Sequence, residues 1–190
     1  MFGTPLMMDS LVEWILRHGR PVRVLVDGRS GSGKTTFAAG LARRLDAELI
    51  HLDSIYPGWS GLEEASRHVH DELLTGNPAR WRRWDWEADA PAEWHMPNPE
   101  RAWVIEGCGA LSWDNRLQAS FAIWLDAPDE VRHRRALERD GELFAAHWQM
   151  WADQEREFID REHPQELADL VLDTRHDPSL VSARRGASTE

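Results

Sequence analysis

Gly28, Gly33, Lys34 and Thr35 fill the pattern G-x-x-x-x-G-K-[ST] inside the stretch "DGRSGSGKTT", directly after the apolar run "VRVLV". The small residues Ser30, Gly31 and Ser32 lie between them, and Thr36 follows. A glycine-rich loop between a strand and a helix turns its backbone N–H groups inward and makes an anion nest. Lys34 then reaches the β/γ-phosphates of a nucleotide as a point charge, and the Thr35 hydroxyl holds Mg²⁺. The spacing predicts ATP or GTP binding. Phosphoryl transfer also needs a metal-holding carboxylate, neutralised charge and a positioned nucleophile. Asp53, after the run "AELIHL", is placed to accept a proton from an acceptor hydroxyl. Glu106 ends "WVIE" and could organise Mg²⁺ or bind the acceptor, with Gly107 allowing close backbone approach. Arg132, Arg135 and Arg139 share one face of a helix in "VRHRRALERDGE", where they could close over a triphosphate.

The elements that must hold these groups alternate. Apolar runs at residues 22–27, 47–53, 101–107, 121–127 and 168–174 read as strands, with helical periodicity between most of them. The order predicts a doubly wound α/β domain, a five-stranded parallel sheet with helices on both faces. Ligands in such sheets bind beyond the carboxyl ends of the strands, where Asp27, Asp53, Glu106 and Asp126 fall. One domain is expected over residues 1–182, with lid and acceptor insertions at about 54–100 and 130–160 and a disordered tail at 183–190. Residues 77–100 carry four prolines and four tryptophans and read as mostly loop. Residues 128–140 and 141–162 read as two helices, separated at Gly141.

At this level "GRSGSGKTT", "LDSIY", "VIEG" and "WLDAPDEVRHRRALERD", in that order between Val22 and Asp140, resemble the uridine kinase-like branch of the P-loop nucleoside and nucleotide kinases. The resemblance implies an ATP-binding loop at Gly28–Thr36 and an aspartate, Asp53, that activates the acceptor hydroxyl, with Tyr56 beside it. It further implies a carboxylate-bearing strand at Glu106 and an arginine-rich helical lid, matched approximately by Arg135 and Arg139. Departures are the continuation "SIYPGW" and a lid spacing one residue wider than the family's. "RRWDW" occupies the nucleoside-contacting region, and Asp85 within it is the polar group assigned to the acceptor.

Composition narrows the classes. The net charge of −11, from 22 basic against 33 acidic residues, argues against nucleic acid as a partner. No apolar run approaches a membrane span, and the single Cys108 fits a reducing cytoplasm and reads as a small buried thiol. Eleven tryptophans serve equally as core filler or as stacking surfaces, and Trp59, Trp81, Trp84, Trp86 and Trp94 fall around the expected acceptor site. The expected activity is Mg²⁺-dependent transfer of the γ-phosphoryl group of ATP to a hydroxyl of a nucleoside-like small molecule, by a monomer or homodimer. Two alternatives stand beside it. A nucleoside monophosphate kinase would need arginines such as Arg80, Arg82, Arg83 and Arg116 to clamp an acceptor phosphate. A regulatory P-loop NTPase would hydrolyse slowly without any acceptor.

Overall fold

The structure, a computed structural model, describes residues 8–175 and 182–185, with the backbone alone at 139–145 and 182–185. Strand β1 (Arg23–Asp27) is buried along its whole length because it lies central in a sheet covered on both faces. Its side chains alternate. Leu25 faces one core layer, whereas Val24 and Val26 face the other with Phe37 and Leu41.

The remaining sheet strands are β2 (Glu48–His51), β5 (Trp103–Glu106), β6 (Phe121–Asp126), β7 (Leu170–Asp173) and β8 (Ser182–Arg185). Their order is β2-β5-β1-β6-β7-β8. The first five are parallel, as the alternating pattern predicts, and β8 adds an antiparallel edge. The chain runs outward from β1 to β2, returns to β5, then crosses to β6. That reversal opens a crevice at the carboxyl ends around β1, the position where doubly wound sheets take ligands. The tail expected to be disordered from residue 183 is thus strand through 185, and residues 186–190 lie outside the described ones.

Helices α1 (Met8–Leu16) and α2 (Lys34–Leu45) cover one face. The other face carries α3 (Leu62–His68), which widens into a π-helical turn over Val69–Leu74, and α5 (Asp129–Glu162). Two short helices complete the set, α4 (Trp113–Gln118), capped by the Ser112 hydroxyl accepting from the Asn115 N–H, and α6 (Pro164–Leu167). Residues 129–162 form one helix where the sequence suggests two. Asp129 and Glu130 favour its N-terminal dipole, and His163 (φ 50°) followed by Pro164 ends it.

The segment 77–100, expected as loop, contains an antiparallel hairpin, β3 (Trp81–Asp85) with β4 (Ala90–His95). A register shift between Arg82 and Trp84 breaks the alternation that would have announced it. No described helix is long and apolar enough to cross a membrane.

Candidate active site

The phosphate loop is built on Asp27. That carboxylate is 1% exposed and accepts backbone N–H groups from Gly28 (2.6 Å), Leu111 (2.8 Å) and Gly109 (3.2 Å). It therefore ties the loop after β1 to the loop after β5. Burial pushes its pKa up to about 7, against the pull of those N–H groups and of Lys34. Two glycines are dictated by contact. A Cβ at Gly28 (φ 149°) would meet Leu125 O at 2.3 Å, and one at Gly31 (φ 78°) would meet Arg132 O at 2.1 Å. The second contact seats the first turn of α5 on the loop.

From Gly33 (φ 91°) the chain enters α2, whose first N–H groups have no intrahelical partner, and Thr35 and Thr36 are exposed there. Ser32 is fully buried, and its hydroxyl has no partner among the described residues. Lys34 is 8% exposed and donates to Arg29 O (3.3 Å) and to Cys108 Sγ (3.4 Å). Burial opposes its charge, but Cys108, Glu106, Glu155 and Asp27 surround it and raise its pKa above the usual value. Glu155, from α5, accepts the Ser30 N–H at 2.6 Å and Arg29 Nε at 3.0 Å.

On the acceptor side, a 3-10 turn over Leu52–Ser54 follows β2 and leaves Asp53 exposed. The hairpin reaches over it, and Trp86 Nε1 donates to Asp53 O at 2.8 Å. Glu106 is buried with Oε1 2.5 Å from His51 Nδ1, and that bond raises the His51 pKa. Trp59 packs against Trp86 at 5.2 Å and stacks on His147 at 4.2 Å, while Trp151 meets Tyr56 edge-on at 4.8 Å. Gln154 Nε2 donates to Trp59 O at 2.8 Å, so α5 also straps the acceptor-side loop.

Residues Gly28–Thr36, Asp53 and Glu106 thus share one rim of the sheet. Three other expected residues are bonded to the protein's own backbone. Tyr56 is buried, and its hydroxyl donates to Cys108 O at 2.8 Å, which makes it a brace for the loop after β5. The Asp85 carboxylate accepts the N–H groups of Glu87 (3.1 Å) and Ala88 (3.0 Å), closing the hairpin turn, and also takes Arg83. Arg135 Nη2 donates to Thr174 O at 2.8 Å, and Thr174 Oγ1 donates to Ser32 O at 2.6 Å, so this arginine touches the phosphate loop only through a threonine. Among the described lid arginines, Arg132 meets the loop directly, donating to Ser30 O at 3.1 Å. Arg139 lies in the stretch 139–145, whose side chains fall outside the described ones.

Sequence reasoning missed the site positions of His51, Arg29, Cys108 and Glu155. Glu155 left a trace. It is the one acidic residue on the helix face formed by Trp151, Ala152, Phe158 and Ile159, and a carboxylate on an apolar face signals a buried partner. Cys108 is buried as expected, in contact with Lys34. Burial raises its pKa to about 12, which keeps it a thiol.

No family model matches the chain. It is 31% identical over 170 residues to a cytidylate kinase of Pyrobaculum neutrophilum, covering 82% of this chain and 85% of that protein. It is 26% identical over 147 residues to a uridine kinase of Lactiplantibacillus plantarum, covering 65% of this chain and 70% of that one. A solved structure described as a possible uridine kinase from Bacillus stearothermophilus superposes with a TM-score of 0.61 at 20% identity, over 86% of this chain and 96% of the other.

Proposed function

The chain belongs to the P-loop nucleoside and nucleotide kinases and is a phosphotransferase; from that premise we propose that it stands in their uridine kinase-like branch and transfers the γ-phosphoryl group of ATP to a hydroxyl of a nucleoside-like acceptor. The observation that carries the reading is the shared rim, with the phosphate loop, Asp53 and Glu106 at neighbouring carboxyl ends of β1, β2 and β5.

Each group has a task. The loop N–H groups and Lys34 hold the phosphates and take up charge as the γ-group leaves. Asp53, exposed beneath the hairpin, accepts the proton of the attacking hydroxyl. The Thr35 hydroxyl and Glu106 are the groups that would hold Mg²⁺. Among the described residues no cluster of three or more His, Cys, Asp or Glu side chains is suited to a metal. That donor set fits an ion bound by one carboxylate together with substrate phosphates and water. Bound there, Mg²⁺ supplies neutralising charge on the phosphates. The α5 lid and the Trp59–Trp86 contact keep competing water out.

A hydroxyl acceptor is favoured over a nucleoside monophosphate by where the arginines go. Arg80 pairs with Glu72 at 2.7 Å, Arg83 with Glu93 at 2.7 Å, and Arg116 with Asp169 at 2.8 Å. Arg82 donates to Ala92 O at 3.0 Å. All four are held by the protein's own acceptors, Arg80, Arg82 and Arg83 at the surface, rather than aimed together at one acceptor phosphate. Phosphorus NMR of the product tests the choice. A new phosphomonoester from a nucleoside is the expected result, and a nucleoside diphosphate formed only from a monophosphate would reverse it.

A further inference from the structure

The second half of α5 buries Trp151, Ala152 and Phe158, and Glu155 interrupts that face while only 3% exposed. A buried carboxylate is tolerated only when it is paired and hydrogen-bonded. Its partners are specific. Oε1 accepts the Ser30 backbone N–H at 2.6 Å and the Cys108 thiol at 3.3 Å, and Oε2 accepts Arg29 Nε at 3.0 Å. Ser30 and Arg29 belong to the phosphate loop, and Cys108 touches Lys34. A backbone N–H and a guanidinium are the donors a terminal phosphate uses. A carboxylate of the protein itself thus sits at one end of the anion cradle, with its charge facing Lys34.

We propose that Glu155 is a built-in competitor for the terminal phosphate of the nucleotide and so sets how strongly the loop prefers a long phosphate chain. The proposal rests on the reading of Gly28–Thr36 as the ATP loop. Carboxylate and phosphate cannot share the same donors without like-charge repulsion. A triphosphate takes full hold only in molecules where Glu155 has withdrawn, and its apparent affinity is reduced by that fraction. A monophosphate, with fewer oxygens to place, competes less. Glu155 is a specificity-determining residue that acts by occupying the site.

Calorimetric titration of the full chain with ATP and with AMP tests this, using wild type, Glu155→Gln and Glu155→Asp, with circular dichroism to confirm folding. The glutamine variant is expected to bind ATP tighter by on the order of tenfold and AMP by no more than about twofold. A purely structural Glu155 would act in the opposite direction, because a slackened loop binds every phosphate more weakly. ATP binding equal to or weaker than wild type in the folded glutamine variant overturns the proposal. Should that variant not fold, the aspartate variant decides, since it withdraws the charge by one methylene and must also tighten ATP. Wild type that binds ATP unaltered by either substitution sinks this proposal alone. Failure of all three proteins to bind ATP sinks the phosphate-loop reading with it.

Discussion

Lys34 is held charged by the acids around it although it is nearly buried, and that is the state a phosphate-binding lysine needs. Lys34→Ala is expected to lower ATP-dependent turnover by about a hundredfold or more while the far-UV spectrum is unchanged. Asp53 is exposed and faces the acceptor side, so its loss acts on chemistry rather than on nucleotide binding. For Asp53→Asn, steady-state kinetics and titration should show kcat falling by roughly 10²–10⁴-fold with the ATP Kd within about twofold. An unchanged kcat removes Asp53 as the base. Asp27 gives a pH signature. Its folded pKa of about 7 lies above the ordinary 3.8, so the native state keeps a proton that the unfolded chain releases. Stability from this group therefore falls as pH rises from about 4 to about 7 and levels off above. Denaturant melts of wild type against Asp27→Asn should show the difference shifting against wild type across that window. A constant difference would contradict the buried, proton-retaining Asp27. At this scale the sequence disclosed the loop, because G-x-x-x-x-G-K-[ST] is a local signal. It did not disclose that Tyr56 and Asp85 bond the protein's own backbone, because residue type does not reveal which way a side chain faces. Glu155 was invisible as a loop partner because Ser30 lies 125 residues away.

Among elements, α5 does the most. Its first turn rests on Gly31, Arg132 donates to Ser30 O, Glu155 accepts the Ser30 N–H, and Gln154 holds the acceptor loop. A continuous rod across both halves of the site explains why the helix does not break at Gly141. A glycine costs only about 1 kcal/mol in a helix, and packing of α5 at both ends outweighs it. The hairpin stayed hidden for a different reason. Pro91 and the register shift erase its period-two pattern, and the Asp85 turn is made by side-chain bonds rather than by a glycine. Gly31→Ala tests the seating of α5, since its Cβ would fall 2.1 Å from a backbone oxygen at a φ that alanine resists. It is expected to lose about 1–3 kcal/mol of stability and most ATP affinity, read by melts and titration. A stable variant with unaltered affinity would show that α5 does not rest on the loop.

For the whole molecule, the parallel core of the sheet followed directly from the alternation of apolar runs, whereas the antiparallel β8 lay beyond the last strong run. The net charge of −11 is compatible with anionic substrates because Lys34 and the N–H groups of the phosphate loop lie together at one rim. The central claim is that this rim moves a phosphoryl group from ATP to a hydroxyl. It is tested most directly by ADP release from Mg-ATP across a panel of nucleosides, nucleoside monophosphates, sugars and polyol acids, with Lys34→Ala as the blank. Release stimulated by a nucleoside, and absent in the blank, is the predicted result. Tight ATP binding with no acceptor-dependent release would contradict the account and leave a regulatory NTPase in its place.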